Sequence, residues 1–449
     1  MEPLTTLAKI SNSFKEVIET NEAKFIEQLD KGDLYGFEES LFQLFQSMYN
    51  LVAESYMRDS ARQSEPTQRT KAAGMRLGKL VRRPAKIQLR TGHYVEMEGL
   101  YAKKAPPQHK GSRHLLHLHW RVFKGASPTY YSHVCLFSVL CPSFEVAGQV
   151  LEIEGVRHNL DRIKELTRHL ANHCKGRQAG LSRAPGESLS GKRVVIGIDG
   201  GRTRTRQYNG KVNKKGNATF DTPWVEPKMF VMDVLKDDGQ IDRNCLPIYG
   251  TLFGDDELIA LLGEHLAGLE IGKAKQVQVV ADGSPWIWNR VRVMLEKLGV
   301  KPEKITETLD YYHASEYVGK IISGLPKKFS KQAAKLTSMF KDWIWTGNIE
   351  AIVEKCEELF SNPSKEIVRY VGYFQNNEIR MHYSDYQEDK LMCGSGIIES
   401  GIRRVINLRF KNASAFWKKE NVESLYFLRG ILLSFRWKIM MNNLVYQEI

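Results

Sequence analysis

The chain has 449 residues, of which 42% are hydrophobic and 26% are charged, and this composition excludes a low-complexity or fibrous protein. Its length exceeds that of one ordinary core, so we expect two to four domains. Lys and Arg number 65 against 52 Asp and Glu, and the resulting net charge of +13 indicates a polyanionic partner.

The six cysteines form no CxxC pair, which argues against a zinc signature and a disulfide framework and favours a reducing interior. The longest apolar run, Val134–Cys141, ends at Pro142 and is too short to cross a bilayer. The first twenty residues show no signal-peptide pattern. We therefore expect a cytoplasmic protein without a membrane partner.

Residues 1–60 are acidic, with eleven Asp or Glu against five Lys or Arg. Apolar residues recur there at helical spacing, and Asp33 precedes them as a possible N-cap. The pattern predicts a small acidic helical unit whose apolar residues form its core.

Between Ala61 and Arg90 the charge reverses, with nine basic residues and one acid, Glu65. The stretch also contains Pro66 and Pro84 and is rich in small polar residues. It has the composition of a flexible basic arm that could follow a phosphate backbone. A solvated linker without a partner fits the same composition equally well.

Residues 86–124 contain short alternating runs that predict a small antiparallel sheet. The run His114–Trp120 holds three histidines, of which only His117 and His119 would share a face of a strand. No cysteine pair accompanies them. We expect a half-buried strand with solvent-facing histidines here and not a metal site.

Ser143–Leu170 has the pattern of two helices separated by Gly155, with Ser143 as the first N-cap. Basic residues, among them Arg157 and Arg162, lie on or near the second helix. This arrangement fits a helix-turn-helix whose second helix enters a DNA major groove, and an ordinary helical hairpin is the alternative. We assign residues 61–190 to a DNA-binding region that ends in a linker over 175–191.

The stretch Lys192–Gly201 predicts a strand buried on both faces, ending at Asp199. Six basic residues and no acid follow before Asp221. If Asp199 binds a metal, phosphates bound beside it would explain the six cations. The alternative is a solvated basic loop. The six residues are Arg202, Arg204, Arg206, Lys211, Lys214 and Lys215.

Lys228–Leu235 and Cys245–Phe253 predict two further strands that continue a meander, followed by a helix. Gln276–Asp282 is another core strand that ends in a carboxylate. We expect Ser284 to cap the next helix, with Pro285 as its first residue, which leaves Asp282 without a structural role.

Ile305–Leu309 predicts a fifth strand, and the acid Asp310 follows it. Residues 314–390 are mostly helical and long enough to be an inserted domain. Glu399 then begins a helix in which Arg403 stands one turn later, so a surface ion pair is the simplest alternative for that acid. Further basic residues near it are Arg404, Arg409 and Lys411.

Asp199, Asp282 and Glu399 stand where an RNase H-like sheet would bring them to one edge. Three carboxylates in one place repel one another unless cations bind them. Oxygen ligands suit Mg²⁺ or Mn²⁺ and not zinc. Two such ions about 3.5–4 Å apart would activate an attacking oxygen and stabilise a leaving oxygen at a phosphodiester.

Several motifs together resemble the DDE transposases of bacterial insertion sequences, in particular the ISKra group, which is related to the Mutator-like superfamily. The resemblance runs from about Lys192 to the C-terminus. It is carried by Ile198-Asp-Gly-Gly-Arg-Thr-Arg204, Asp221-Thr-Pro-Trp-Val-Glu-Pro-Lys228, Ala281-Asp-Gly-Ser-Pro-Trp-Ile-Trp-Asn-Arg290, Leu309-Asp-Tyr-Tyr-His-Ala314, Gly394-Ser-Gly-Ile-Ile-Glu-Ser400 and Arg403-Arg-Val-Ile-Asn-Leu-Arg409.

The resemblance implies an α/β chain with an RNase H-like catalytic domain in three parts: 191–313, a helical insertion over 314–390, and 391–449. It implies Asp199, Asp282 and Glu399 as the catalytic and metal-binding triad, holding two Mg²⁺ or Mn²⁺. Asp310 and His313 would form the DxxH element of that superfamily as accessory residues. The CxxC-type pair found upstream in many relatives is missing here.

The expected activity is transposition, in which the chain acts as a homodimer on double-stranded DNA, both element ends and target, near the bacterial nucleoid. A structure-selective nuclease with the same triad, or a domesticated DNA-binding protein, are the alternatives. The expected DNA contacts are Arg157, Arg162, Arg202, Arg204, Arg206, Lys214, Lys215, Arg403, Arg404, Arg409 and Lys411.

Overall fold

The computed structural model describes residues 3–65, 67, 79–102, 113–252, 254–411 and 417–447. The chain divides into two compact units, Met1–Leu170 and Ala171–Ile449. No helix in the described ranges is both long enough and apolar enough to span a membrane.

The first unit begins with two long helices, α1 (Pro3–Asp30) and α2 (Leu34–Gln63), as the acidic helical pattern predicts. The Asp33 carboxylate accepts a hydrogen bond from the backbone N–H of Gly36, so its predicted role as N-cap is confirmed. Helix α2 packs on a small sheet through Ala53, Met57 and Ala61.

That sheet consists of β1 (Leu80–Gln88), β2 (Tyr94–Ala102) and β3 (Arg113–His114), paired antiparallel in this order. Ile87, Val95 and Met97 are buried in its core, as the alternating pattern predicts. The predicted arm is therefore wrong for residues 80–88, which form a strand. Residues 68–78 of that arm lie outside the described ranges.

The predicted histidine strand is also wrong, because Leu115–His119 forms a short helix, α3. Leu115 and Leu116 are adjacent in sequence and both are buried, which a strand with one buried face does not permit. Burial lowers the pKa of His117 to about 4, so this side chain is neutral at physiological pH.

The rest of the unit is helical: α4 (Pro128–Leu140), α5 (Phe144–Ile153) and α6 (Leu160–Cys174). The Ser143 hydroxyl caps α5 by accepting from the N–H of Val146, as predicted. The sequence thus identified two helices joined by a turn at Gly155, which has a φ of 66°.

The second unit begins earlier than predicted. Residues 178–182 of the expected linker form a helix, α7 (Gln178–Ser182), whose Leu181 and Ser182 are buried. The amide of Asn443 donates to the carbonyl of Leu181 at 2.9 Å, and Arg436 donates to that of Ser182. These buried bonds tie the segment to the C-terminal part of the chain.

A mixed five-stranded sheet forms the centre of this unit, in the order β10-β9-β4-β11-β12. Strands β4, β9 and β10 form the predicted antiparallel meander, and β11 and β12 continue it in parallel with β4. Their bounds are β4 (Arg193–Gly200), β9 (Lys228–Leu235), β10 (Ile248–Leu252), β11 (Gln276–Ala281) and β12 (Ile305–Leu309).

The sheet is covered on both faces, so the core strands carry continuous apolar runs. Val194, Ile196 and Ile198 of β4 face the core under α8 (Asp255–Gly268) and α9 (Pro285–Lys297). Val195 and Val280 face the opposite core, which contains the insertion. That insertion consists of α10 (Tyr311–Ser323), α11 (Ala333–Trp345), α12 (Ile349–Leu359), α13 (Lys365–Asn377) and α14 (Tyr383–Glu388).

The insertion is helical, as predicted, and its Trp343 and Trp345 pack against the apolar core. The chain then forms α15 (Gly396–Ile402), a π-helical turn over Arg403–Asn407 and α16 (Leu408–Phe410). After the gap follow α17 (Lys419–Leu433), α18 (Trp437–Asn442) and a second π-helical turn over Asn443–Gln447.

Between β4 and β9 the chain forms two short ladders, where the sequence left a basic loop as the simplest alternative. Strand β5 (Thr203–Arg204) pairs with β8 (Trp224–Val225), and β6 (Gln207–Val212) pairs with β7 (Ala218–Asp221). We call residues 203–225 the basic hairpin.

Candidate active site

Three acidic residues stand at the same level, where three neighbouring strands end. Ile198 pairs with Ala281, and Ala281 pairs with Leu309. The next residues along these parallel strands are Asp199, Asp282 and Asp310. Ile196 and Ile198 face one core and Asp199 alternates with them, so its side chain projects from the face that carries Val195 and Val280. The three carboxylates therefore begin at one edge of the sheet.

Burial is the main cause that raises the pKa of Asp199 to about 6. The charges of Asp282 and Glu226 act in the same direction, while the N–H of Gly200 opposes them with a hydrogen bond of 2.6 Å. The structure therefore brings Asp199 close enough to Asp282 for their charges to interact.

Asp282 holds the beginning of helix α9. Its Oδ1 accepts from the N–H of Ser284 and its Oδ2 from the Ser284 hydroxyl, both at 2.9 Å. Ser284 makes no capping bond, so the prediction that its hydroxyl fills that role is wrong. The carboxylate of Asp282 fixes this turn instead, which gives the residue a structural function beside any catalytic one.

Asp310 is completely buried and joins two parts of the site. Its Oδ2 accepts from His313 Nδ1 at 2.5 Å and from the Ser395 hydroxyl at 2.7 Å. Its Oδ1 accepts from the N–H groups of Tyr312 and Ser395. Burial opposes ionisation, but the bonds from His313 and Ser395 hold the pKa of Asp310 below its ordinary value.

His313 is held as a cation among the acids. The hydrogen bond to Asp310 is the main cause that raises its pKa to about 9, and burial opposes it. The charges of Asp310, Asp199 and Asp282 add to the increase. An imidazolium in contact with one carboxylate thus lies within electrostatic range of two more.

The segment before α15 is fixed to the sheet at several points. Gln278 of β11 forms two hydrogen bonds with the backbone of Met392, at 2.6 and 2.9 Å. The N–H of Tyr311 donates to the carbonyl of Cys393, and Ser395 is bound by Asp310. Ser395 occupies the N-cap position of α15, but its hydroxyl donates to Asp310 and forms no capping bond with the helix.

Helix α15 lies directly on β4. A Cβ on Gly197 would stand 2.9 Å from the Cβ of Ile398, so only glycine permits this close approach. A Cβ on Gly401 would meet Met229 of β9 at 2.6 Å and Tyr249 of β10 at 3.0 Å. The helix therefore presents Gly401 toward β9 and β10.

This orientation determines the direction of Glu399. Residues of an α-helix are about 100° apart, so Glu399 and Gly401 project in nearly opposite directions. Since Gly401 faces β9 and β10, Glu399 projects away from these two strands. Its side chain is exposed, and no ion pair joins it to Arg403 in the described part of the chain.

The residues described contain no group of three His, Cys, Asp or Glu side chains close enough to hold a metal ion. The predicted triad thus has two members brought together and a third on the adjoining helix. The half-buried Asp199 beside Asp282 fits a divalent cation, because both carboxylates offer oxygen ligands and their repulsion is relieved by positive charge. The metal site itself stays a prediction.

Sequence reasoning missed Tyr373 of α13, whose phenol lies within electrostatic range of Asp282 and Asp310. Its ring stacks on Tyr317 with centroids 3.8 Å apart, and burial raises the pKa of its hydroxyl. Only the tertiary packing of the insertion brings this residue to the site. Ser395 was detectable, since it stands in the Gly-Ser-Gly motif before Glu399.

Most of the predicted DNA contacts are exposed. Thr203 and Thr205 point inward, and the arginines that alternate with them point to solvent. Arg404 is exposed as well but donates to the Tyr249 hydroxyl. The exposed group comprises Arg157, Arg202, Arg204, Arg206, Lys214, Lys215, Arg403, Arg404 and Lys411.

Two predicted contacts need correction. Arg409 is only 1% exposed and stacks on Trp417 at 4.8 Å, so it is a core residue and cannot reach DNA at the surface. Arg162 pairs with Glu165 at 2.7 Å and donates to the carbonyl of Lys124. Its guanidinium is therefore used within the first unit. Arg157 precedes α6 and is not part of that helix.

No protein-family profile matches this chain, and no curated protein is similar to it. Among solved structures, the chain is similar to the Drosophila P element transposase strand transfer complex at 12% identity. The match covers 72% of this chain and 82% of that chain, with a TM-score of 0.26, which does not establish a shared fold.

Proposed function

We propose that this protein is a DNA transposase of the DDE type, with an RNase H-like catalytic domain and a homodimer as its working assembly. One observation carries the proposal. Asp199 and Asp282 stand at the same level of two adjacent parallel strands, and the helix that packs on β4 carries Glu399. The strand order, an antiparallel meander continued by two parallel strands, supports the RNase H-like interpretation.

Asp199, Asp282 and Glu399 would hold the Mg²⁺ or Mn²⁺ ions. When bound, such ions supply an activated oxygen nucleophile and stabilise the leaving oxygen of a phosphodiester. The carboxylates keep the metals at the sheet edge, and the fixed segment 392–395 sets the start of the helix that carries Glu399.

His313 supplies a fixed positive charge on the same face of the sheet. Its Nδ1 is bonded to Asp310, which orients the ring and keeps it protonated. In this role Asp310 is a positioning residue. The imidazolium would offset part of the negative charge of a DNA phosphate drawn toward three carboxylates.

The exposed cations of the basic hairpin would bind the DNA backbone next to the site. The hairpin begins four residues after Asp199 and ends three residues before β9. Lys and Arg contacts to phosphates are independent of sequence and add affinity without choosing a target. Recognition of element ends is expected in the first unit, where Arg157 is exposed.

The test is a strand-transfer assay with labelled DNA that carries the sequences flanking the chain's own gene, in Mg²⁺ or Mn²⁺. A transposase cleaves at the element ends and joins the freed 3′-hydroxyl to target DNA. Cleavage without joined product would indicate the structure-selective nuclease. Binding without either reaction, in the presence of all three acids, would indicate a domesticated DNA-binding protein.

A further inference from the structure

The two faces of the basic hairpin differ in character. On one face, Asn209 donates to Asp221 at 3.2 Å, and the Thr219 hydroxyl donates to Asn209 at 2.8 Å. These polar side chains bond to one another. The polar side chains on this face of the hairpin are therefore satisfied by one another.

The other face carries aromatic and cationic side chains together. Tyr208 is paired with Phe220 across the ladder, and they are 62% and 40% exposed. Trp224 belongs to the neighbouring β5–β8 ladder and is 52% exposed. The Arg204 guanidinium stacks on Trp224 at 4.8 Å and Arg206 on Phe220 at 5.8 Å. We call these five residues the aromatic face.

The charge around this face indicates what kind of partner binds there. Residues 202–220 contain six basic residues and no acid, and Asp221 is the one acid of the hairpin. A second copy of the chain would bring the same positive charge and a net charge of +13, so self-association through this face is electrostatically unfavourable. A polyanion is favoured, and nucleic acid is the polyanion that also offers flat apolar rings.

The exposed rings define which form of nucleic acid fits. The phosphates of an intact duplex need only cations as partners. The bases of a duplex are already stacked on one another, so they cannot stack on a protein ring. Unpaired bases can, since each has a π-face that stacks on Tyr, Phe or Trp in a sequence-tolerant way. Cations that track a backbone beside stacking rings are typical of single-strand binding surfaces.

We propose that the aromatic face binds unpaired nucleotides of DNA beside the reacting phosphodiester. The position beside the bond rests on the proposed function, because it follows from the short distance in sequence between the hairpin and Asp199 of β4. The capacity to bind unpaired DNA rests only on the residues of the hairpin. Strand opening next to the reacting bond would expose such nucleotides.

The experiment measures binding of the full-length chain by fluorescence anisotropy, without divalent metal, so that no cleavage occurs. The probes are a single strand, the matching duplex and a duplex with a single-stranded flap. The double variant Tyr208→Ala and Phe220→Ala keeps the charge and removes the rings. We expect it to bind the strand and the flap about 5- to 100-fold more weakly, with duplex binding unchanged.

Three control variants and one fluorescence measurement test whether the aromatic rings cause this result. The exchange Tyr208→Phe with Phe220→Tyr keeps both rings and should bind like wild type. Tyr56→Ala removes an exposed aromatic residue from the acidic helix α2 and should change nothing. Lys214→Gln with Lys215→Gln should weaken duplex and single strand alike. A 2-aminopurine in the unpaired segment should be quenched by wild type and not by the double alanine variant.

Equal loss of duplex and single-strand binding, or no loss at all, would overturn the proposal. So would a double variant that becomes monomeric while its DNA binding is unchanged, because the face would then hold a second copy. Failure of the proposed function is distinct: wild type would still prefer flap DNA through this face yet produce neither cleavage nor strand transfer in Mg²⁺.

Discussion

At the scale of single residues, the acids at the sheet edge differ in how far the protein satisfies them. All the hydrogen bonds that Asp310 accepts come from Tyr312, His313 and Ser395. Asp199 accepts only from the N–H of Gly200 among its hydrogen bonds within the site. The difference favours Asp199 as a metal ligand and Asp310 as a positioning residue.

The first prediction concerns the triad. Asp199→Asn, Asp282→Asn and Glu399→Gln keep the shape of each side chain and remove the charge that metal ligation needs. Each should lower the cleavage rate by at least about a hundredfold while DNA binding is retained. Cleavage of labelled end DNA and anisotropy are measured on the same preparations. A variant that cuts at nearly the wild-type rate would remove its residue from the site.

The three substitutions should differ in stability. Asp199→Asn relieves repulsion with Asp282 and should leave the melting temperature unchanged or higher. In Asp282→Asn, only one of the two oxygens that accept hydrogen bonds from Ser284 is kept. A Glu399 that served only as a surface ion-pair partner would instead show partial activity and a lower melting temperature.

The second prediction concerns Asp310→Asn. An amide nitrogen cannot accept from His313, so the pKa of His313 should fall from about 9 toward its ordinary value near 6.5. The loss of a buried charged partner should also cost about 3 kcal/mol of unfolding free energy. NMR titration of selectively labelled histidine measures the pKa. An unchanged His313 titration would show that Asp310 does not hold the imidazolium.

The sign of this contribution follows from linkage. Because the folded pKa of His313 lies above the unfolded value, its stabilisation is complete below about pH 6.5 and disappears as the pH rises through about 9. Wild type should therefore lose stability over that interval, and Asp310→Asn should lose less. Urea unfolding at several pH values measures the difference.

At the scale of elements, short irregular segments are fixed by buried arginines. Arg436 precedes α18 and forms a bidentate pair with Glu187, at 2.5 and 2.7 Å. It also donates to the carbonyls of Ser182, Leu246 and Pro247. One guanidinium thus joins α7, the approach to β10 and the C-terminal helices.

The third prediction is that Arg436→Met destabilises the second unit by about 3–5 kcal/mol, because Glu187 and three carbonyls lose a buried partner. Burial opposes ionisation of Glu187, and the bond to Arg436 holds its pKa below the ordinary value. The double variant with Glu187→Gln should recover part of the loss. Thermal unfolding measures both, and an additive double variant would contradict direct coupling.

Arg429 performs a similar task at the π-helical turn. It donates to the carbonyls of Val405 and Arg404, at 2.9 and 2.5 Å, and burial lowers its pKa to about 10. A π-helical turn displaces carbonyls from the regular helical ladder, so an added donor stabilises it. The turn directly follows the helix that carries Glu399.

At the scale of the whole molecule, the positive charge determines how the chain meets DNA. The fourth prediction is that duplex binding weakens steeply with salt, because Lys and Arg release cations condensed on the phosphates. Lys214→Gln with Lys215→Gln should reduce the slope of log K against log salt by about 1–2. Affinity that stays constant between low and moderate salt would contradict an electrostatic interface.

The fifth prediction concerns acid stability. Burial, with the nearby charge of Arg436, lowers the pKa of His265 to about 4. The unfolded chain therefore binds a proton near pH 6.5 that the folded chain does not, so stability falls as the pH drops from 6.5 to 4, by about 3 kcal/mol in total. Urea unfolding should show a smaller pH slope for His265→Gln than for the wild type.

The sequence alone determined the elements whose signal is local. Buried strands such as β4 and β11 are continuous apolar runs that end in an acid, and the cap at Asp33 depends on neighbours within one turn. The acids at the ends of two predicted core strands also indicated a shared edge of the sheet, where Asp199 and Asp282 lie close enough for their charges to interact. Each of these features follows from periodicity or from the few residues beside it.

Tertiary structure decided the features that depend on distant parts of the chain. Leu115–His119 alternates like a strand but folds as a helix because both Leu115 and Leu116 are buried. Arg409 has exposed cations as neighbours in the sequence, yet it is buried and its guanidinium stacks on Trp417. The bonds of Ser395 to Asp310 and the position of Tyr373 join segments far apart in sequence, and no local pattern records such contacts.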